Sequence, residues 1–176
     1  MDGVFLTWRR RLIVVSALLV SACAGYSGSN LTPGVSTLPE VVASMGHPAM
    51  AWTNPDGSEQ LAYPRGPGGT QTFMAYIGAD RRLQRIEQVL DTAHFARIQP
   101  GMSQDEVLRV LGPSGSIWTQ FYSRSNQLAW SWLFCNDWNV QEFFDVMFDA
   151  SSGIVVSTGQ HPNLMGLDGI QPYCGQ

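Results

Sequence analysis

Lysine is absent from this 176-residue chain, whose ten basic residues are all arginine. Charged residues make up 14% of the sequence, well below the quarter that is typical of soluble proteins. Seven arginines and thirteen acidic residues fall within 23–176, which gives this part a net charge of −6 (7 − 13). A chain without a basic patch cannot follow a phosphate backbone, so we expect no nucleic-acid partner.

Motifs for catalysis and for metal binding are also missing. His47, His94 and His161 are far apart in sequence, and none has a second histidine or a cysteine at the spacing of a zinc site. No G-x-S-x-G or H-E-x-x-H pattern occurs, and the glycines at 66–69 lack the Lys-Ser/Thr of a phosphate-binding loop. We therefore predict a protein that is not an enzyme and takes no metal, cofactor or small-molecule substrate.

The apolar run near the N-terminus, Leu12–Val20, has nine residues. A membrane-spanning helix needs about 20. With three arginines directly before it, the run is typical of a signal peptide, which we place at 1–22.

Small residues precede a cysteine in Val20-Ser21-Ala22-Cys23, a pattern that resembles a bacterial lipobox. The resemblance implies cleavage before Cys23 and acylation of that residue, and several lipid chains together anchor a protein stably to a membrane. By analogy with enteric sorting rules, the lack of a following aspartate favours the outer membrane, facing the periplasm. The Gly- and Ser-rich stretch 23–35 is predicted to be a flexible tether. The alternative is an ordinary secretory leader with a chance cysteine.

Cysteine is scarce, and acylation of Cys23 leaves only Cys135 and Cys174. Disulfides persist in exported proteins, and one pair has one connectivity. A bridge would close a loop of 39 positions (174 − 135) and contribute about 4 kcal/mol in the chain-entropy model. The alternative is two unpaired cysteines, with Cys135 buried in an apolar strand.

The stretch PGMSQDEVLRVLGP, at 100–113, predicts a short helix with well-defined ends. Ser103 and Glu106 have the spacing of a capping box, and Gly112 followed by proline indicates the stop. Asp105 and Glu106 are explained by capping and by the helix dipole better than by acid catalysis.

The same signals occur 66 residues earlier, in TLPEVVASMGHP at 37–48. The shift carries Thr37 onto Ser103 and Gly46 onto Gly112, and slightly larger shifts align the segments that follow. An ordered succession of this kind indicates an internal duplication rather than coincidence. We predict two units, 36–98 and 99–176, the second ending in a tail.

Each unit is interpreted as a short helix followed by three strands. We predict an α+β fold in which two tandem helix-plus-three-strand units pack their helices on one face of a continuous antiparallel sheet. The strand segments are expected near 50–53 with 61–64, 72–77 and 83–90, then near 117–122, 127–134, 143–148 and 154–158.

The capped helix, the aromatic strand after it and the pattern Phe-x-Val-x-Phe-Asp at 144–149 resemble the SmpA/OmlA (BamE-like) domain of outer-membrane lipoproteins. The resemblance is best over 83–160, and two units in one chain look like the arrangement of β-lactamase inhibitory protein. It implies a non-catalytic protein-interaction or scaffold module in envelope or outer-membrane protein assembly, with an envelope protein as partner. The alternative is an inhibitor-type binder of a periplasmic or secreted enzyme.

Ten aromatic residues fall within 118–148. Leu128, Trp130, Trp132 and Phe134 alternate with smaller side chains, which places large aromatics on one face of a strand. That face either forms the core under the second helix or presents aromatics to a partner, where such residues dominate binding energy. We predict partner contacts at Tyr122, Trp132 and Trp138.

Overall fold

The computed structural model describes residues 27–66, 68–165 and 168–175. The predicted signal peptide and Cys23 lie outside the described residues. The helices in this part of the chain are α1 (Leu38–Met45), α2 (Thr92–Phe95) and α3 (Gln104–Leu111), with a 3₁₀ turn at Ser116–Trp118. The strands are β1 (Met50–Thr53), β2 (Glu59–Pro64), β3 (Thr72–Ile77), β4 (Leu83–Gln88), β5 (Gln120–Tyr122), β6 (Gln127–Cys135), β7 (Gln141–Asp149) and β8 (Ile154–Pro162).

The strands form two separate antiparallel sheets of four strands each. The first sheet has the order β1-β2-β3-β4 and the second the order β5-β6-β7-β8, so neighbours in each sheet are also neighbours along the chain. The predicted α+β fold with one continuous sheet and three strands per unit is therefore wrong. Among the described residues, 40% lie in strands or bridges and 16% in helices, which makes the fold β-rich.

The sequence-based prediction failed for two physical reasons. The first strand of each sheet has only four or three residues, and the prediction located these segments near 50–53 and 117–122 without counting them as separate strands of their units. The two edge strands β4 and β8 also begin beside loop segments rather than beside a strand of the other unit. Leu83 at the start of β4 bonds with Gly34 and Ser36, and Val155 in β8 bonds with Gly101 and Met102.

Both predicted helices have the predicted ends. The Ser103 N–H donates to the Glu106 carboxylate at 2.7 Å, and the Glu106 N–H donates back to the Ser103 hydroxyl at 3.3 Å. The bonds from Ser103 hold the pKa of Glu106 below its usual value. In α1 the Thr37 N–H likewise donates to Glu40, at 2.7 Å. These bonds satisfy backbone donors that a helix N-terminus otherwise leaves unpaired.

Helix α3 lies between the two sheets. One cluster of buried side chains joins strands of the first sheet, helices α2 and α3, and strands of the second sheet. Its members include Trp52, Ala62, Met74, Phe95, Val107, Val110, Leu111, Trp132, Phe134, Phe144, Val146 and Phe148. Phe95 of α2 stacks on Phe144 with ring centroids 4.1 Å apart. The core is therefore shared by both halves of the chain.

Helix α1 covers the opposite face of the first sheet. Val41 and Met45 pack against a second cluster, made of Leu61, Tyr63, Ala75, Ile77 and Leu83. Leu31 packs against the same cluster, and the Gly34 N–H donates to the Leu83 carbonyl at 2.7 Å. The described part of the predicted tether, 27–35, is thus packed on the first sheet.

Gly112 is the point where α3 meets both sheets. Its N–H donates to the Leu108 carbonyl at 2.8 Å, and its own carbonyl accepts the Trp132 indole N–H at 3.2 Å. A Cβ at Gly112 would lie 2.8 Å from Cγ2 of Thr72 and 3.5 Å from Cβ of Ala62. Glycine is required here by close approach as well as by backbone conformation.

The two capped helices supply a matched test of this contact. Gly46 and Gly112 end equivalent helices with φ of 85° and 71° and ψ near 180°, a region that essentially only glycine populates. No heavy atom lies within 4 Å of a Cβ built at Gly46. We expect Gly112→Ala to lower the free energy of unfolding by about 1–3 kcal/mol more than Gly46→Ala, because only the former adds a steric overlap. Urea unfolding of both variants measures the difference, and equal losses would contradict the tight junction.

Tyr63 is fully buried in the α1 cluster, and its hydroxyl has no hydrogen-bond partner. Burial raises the pKa of Tyr63 to about 12. Because the unfolded tyrosine ionises near pH 10, this residue makes the fold lose stability as the pH rises from 10 towards 12.

Tyr63→Phe is expected to leave stability at pH 8 unchanged or raised by up to about 1 kcal/mol, since it removes an unsatisfied hydroxyl. At pH 11 the variant should exceed the wild type by about 1 kcal/mol more than it does at pH 8. Urea unfolding at the two pH values checks this. A parallel pH dependence in both proteins would show that the hydroxyl is solvated in the native state.

Candidate functional site

The two sheets differ in how much of their surface is covered. The first sheet has α1 on one face and α3 on the other, and the middle four residues of β2 are all buried. Among the described residues, α2 and α3 cover the inner face of the second sheet, whereas its outer face carries the 3₁₀ turn, whose Trp118 ring packs on Phe143. Its last strand, β8, is exposed at every residue from Val156 to Pro162. The second sheet is therefore where the described structure offers strand surface to a ligand.

Exposed large apolar side chains follow the same asymmetry. Of the ten in the described residues, nine belong to the second half of the chain. These nine are Ile117, Phe121, Tyr122, Trp138, Val156, Leu164, Met165, Ile170 and Tyr173. Val35 is the exception in the first half. Concentrated apolar exposure of this kind marks interaction surfaces more often than scattered single residues do.

One group of these residues surrounds a disulfide. Cys135, at the end of β6, is bonded to Cys174 in the C-terminal tail, with Cα atoms 6.1 Å apart. The Cys174 N–H donates to the Asn139 carbonyl at 2.9 Å, and Tyr173 pairs with Val140. The disulfide therefore holds the tail beside the β6–β7 turn. We call the exposed residues Trp138, Leu164, Met165, Ile170 and Tyr173 the disulfide-end patch.

A second group lies at the opposite end of β6. Tyr122 pairs with Gln127, the first residue of β6, whereas Trp138 follows Cys135, its last residue. Eight strand steps separate these ends, or about 26 Å. Ile117 and Phe121 are also exposed near Tyr122 in the sequence. The structure thus separates two of the predicted partner-binding residues into distinct surfaces.

The three predicted partner-binding residues have different environments. Trp138 is 84% exposed and Tyr122 is 49% exposed, so both can touch another molecule. Trp132 is only 2% exposed, and its indole N–H donates to Gly112 under α3. Trp132 is a core residue in this structure and offers no surface to a partner. Alternation correctly placed it on a face but could not say whether a helix covers that face.

A shallow cleft of about 320 Å³ lies on the outer face of the second sheet. Its lining includes Trp118, Tyr122, Ser131, Phe143 and His161. The Trp118 ring meets Phe143 edge to face at 4.9 Å between centroids. The cleft combines aromatic walls with polar side chains, the composition of a recognition surface.

Polar groups in this cleft converge on Asp145. The Ser131 hydroxyl donates to one carboxylate oxygen at 2.5 Å, and Nε2 of His161 lies 3.2 Å from the other. The carboxylate therefore stands between the serine and the histidine. A nucleophilic serine needs its base within hydrogen-bond reach, so this order of groups does not form a catalytic triad.

Two titratable groups outside the cleft, Asp105 and His94, have structural partners. The carboxylate of Asp105 accepts the Trp52 indole N–H at 2.9 Å and pairs with Arg109 at 2.8 Å, and these bonds lower its pKa. Nδ1 of His94 lies 2.8 Å from Asp91 at the start of α2. No cluster of three or more His, Cys, Asp or Glu side chains that could hold a metal occurs within the described ranges.

Sequence reasoning missed two features of this surface. The contact between His161 and Asp145 joins residues 16 positions apart, and no spacing motif signals it. Gly159 lies opposite Asp145 in the β7–β8 register and leaves open space above the sheet. A glycine inside a strand is the one available signal, since it often marks a close approach of another chain.

Comparisons with known proteins do not assign the chain to a family. No protein-family model matches it, and no curated protein does. Among solved structures, an extracellular protein containing an SCP domain from Bacillus anthracis superposes with a TM-score of 0.28 at 11% identity. The match covers 89% of this chain and 49% of that protein, so the chain spans about half its length. A TM-score this low carries no argument about fold or function.

No helix in the described part of the chain is long and apolar enough to cross a membrane.

Proposed function

We propose that this protein is a non-catalytic lipoprotein of the cell envelope that binds another envelope protein through its second sheet. It would be exported by its N-terminal leader, acylated at Cys23 and held on the periplasmic side of the outer membrane. The observation that carries the proposal is the placement of nine of ten exposed large apolar side chains in the half of the chain that forms this sheet.

The chemistry of the exposed residues favours a protein as the ligand. Trp138 and Tyr173 have the residue type that supplies most of the binding energy at protein interfaces. The disulfide restrains the turn and the tail that carry them, which lowers the ordering cost of binding. A disulfide also suits an oxidising compartment, as export requires.

The resemblance to SmpA/OmlA-type lipoproteins supports the role, although the fold expected from it was wrong. It rests on the capped helix at 103–112 and on the aromatic strands after it. In such proteins a scaffold or interaction role in envelope assembly is expected. We extend to this chain the role alone, and none of that family's binding residues.

The anchor is tested by removing its attachment point. We expect Cys23→Ala to move the protein from the membrane fraction to the soluble periplasmic fraction and to abolish incorporation of labelled palmitate. Fractionation and labelling of cells that express the full chain measure both effects. Membrane association and labelling that persist in the variant would rule out Cys23 as the anchor.

The binding surface is tested by crosslinking in the intact envelope. Trp138→Ala removes an exposed ring while its backbone N–H bond to the Asn136 side chain at 2.9 Å can persist, so we expect unchanged stability and at least a tenfold lower crosslinking yield. Val35→Ala is the matched control, because Val35 is 62% exposed on the first half of the chain. Recovery of lipid without any protein would contradict the proposed function, and so would an equal loss of crosslinking yield in both variants.

A further inference from the structure

Strand β8 has one edge bonded to β7 and one edge that is open for most of its length. At its start, the Gly101 N–H donates to the Val155 carbonyl at 2.9 Å and the Val155 N–H donates to the Met102 carbonyl at 2.8 Å. Beyond Val155, no described residue outside β7 forms a backbone hydrogen bond with β8. Residues 156–162 are also all exposed. A long row of backbone donors and acceptors is therefore available to another strand.

This edge lacks the devices that usually keep strand edges apart. Residues 154–161 include no lysine, arginine, aspartate or glutamate, and the proline comes last, at Pro162. In contrast, edge strands β1 and β5 have four and three residues, and β4 carries Arg85 and Glu87. An exposed, uncharged edge is a template for pairing with another chain.

The outer face beside this edge has a hollow with a carboxylate at its far side. Gly159 lies opposite Asp145, and no heavy atom lies within 4 Å of a Cβ built on Gly159. The Asp145 side chain is 21% exposed, and its described partners are Ser131 and His161. A carboxylate has about four lone-pair positions, so two bonds leave room for a further donor.

Strand geometry sets what can reach this carboxylate from a chain added at the edge. Neighbouring strands lie about 4.8 Å apart, which places a residue beside Gly159 about 10 Å from the Cα of Asp145. An extended arginine or lysine side chain, together with the aspartate side chain, covers that distance. A shorter neutral side chain brings no positive charge to the carboxylate, and an acidic one would be repelled.

We propose that the open edge of β8 binds an extended segment of another protein, which adds a fifth strand to the second sheet and lays an arginine or lysine across Gly159 onto Asp145. Main-chain bonds would supply affinity, and the basic side chain would supply selectivity. This inference rests on the proposed function and names the kind of partner that it requires.

A second copy of this chain fits the edge less well. Strand β8 has no arginine, so pairing two copies through it would bring no strong cation to Asp145. The chain also has a net charge of −4, and two copies repel each other. A segment of a different protein that carries arginine or lysine fits better, because its side chain reaches Asp145 and has the opposite charge.

Labelled peptides test the edge directly. The probes are blocked nine-residue peptides of alternating threonine and valine, with arginine, glutamine or glutamate at the centre. The purified full chain should bind the arginine peptide about tenfold more tightly than the glutamine peptide. It should bind the glutamate peptide most weakly of the three. Fluorescence anisotropy measures the affinities, and amide NMR shifts at 157–161 locate the site.

Two controls separate the backbone from the side-chain contribution. Asp145→Asn keeps the size of the side chain and should equalise the arginine and glutamine peptides without abolishing their binding. An arginine peptide methylated on alternate backbone nitrogens should fail to bind the unaltered protein, and this control needs no variant to fold.

Several results would overturn the proposal: no binding of any peptide, an arginine preference that survives Asp145→Asn, or full binding of the methylated peptide. A dimer in sedimentation whose 157–161 amides are protected would assign the edge to a second copy. These failures are distinct from failure of the proposed function, which would appear as the absence of any Trp138-dependent protein crosslink in the envelope.

Discussion

Helix α3 packs its buried residues Val107, Val110 and Leu111 into a core shared by both sheets, and the rest of the architecture follows from that contact. The residue that caps its C-terminus, Gly112, accepts the Trp132 indole N–H of the second sheet and lies so close to Thr72 of the first that a Cβ would overlap it. Polar bonds add to the contact, since the side chains of Gln60 and Trp52 donate to the backbone of Arg109 and the carboxylate of Asp105. One short helix thus holds two sheets that share no strand pairing.

The two halves of the chain have similar order of elements but different surroundings. The first sheet lies between α1 and α3, which explains why β2 and β3 are apolar along most of their length. In the described residues, the second sheet has α2 and α3 on one face and the 3₁₀ turn at Ser116–Trp118 on the other. The chain therefore has one sheet covered by helices on both faces and a second sheet whose outer face and last strand form the candidate binding surface.

Local signals in the sequence predicted the helix ends and the disulfide. They did not predict how the helices and sheets pack against one another. The capping boxes at Thr37 and Ser103 depend on neighbouring residues, and they form where expected. The bridge between Cys135 and Cys174 was predictable because few cysteines allow few pairings. The double-sided packing of α3 was missed, because an eight-residue helix shows its apolar stripe and not the number of layers that will cover it.

The same limit applies to the candidate site. The exposure of Tyr122 and Trp138 was predictable because turns and strand ends favour exposure, whereas that of Trp132 was misjudged because α3 covers it. The hollow at Gly159 exists only through the register of β8 against β7. The candidate surface arises from pairing between distant segments, which single-sequence patterns do not encode.

Amide hydrogen exchange of the free protein tests most directly whether α3 holds a covered sheet against an open one. We predict that amides of β2, β3 and α3 exchange slowly and together, through global unfolding, while outward-facing amides in 157–161 exchange orders of magnitude faster. Exchange of the first sheet independently of α3, or protection of the whole β8 strand equal to that of β3, would contradict the account.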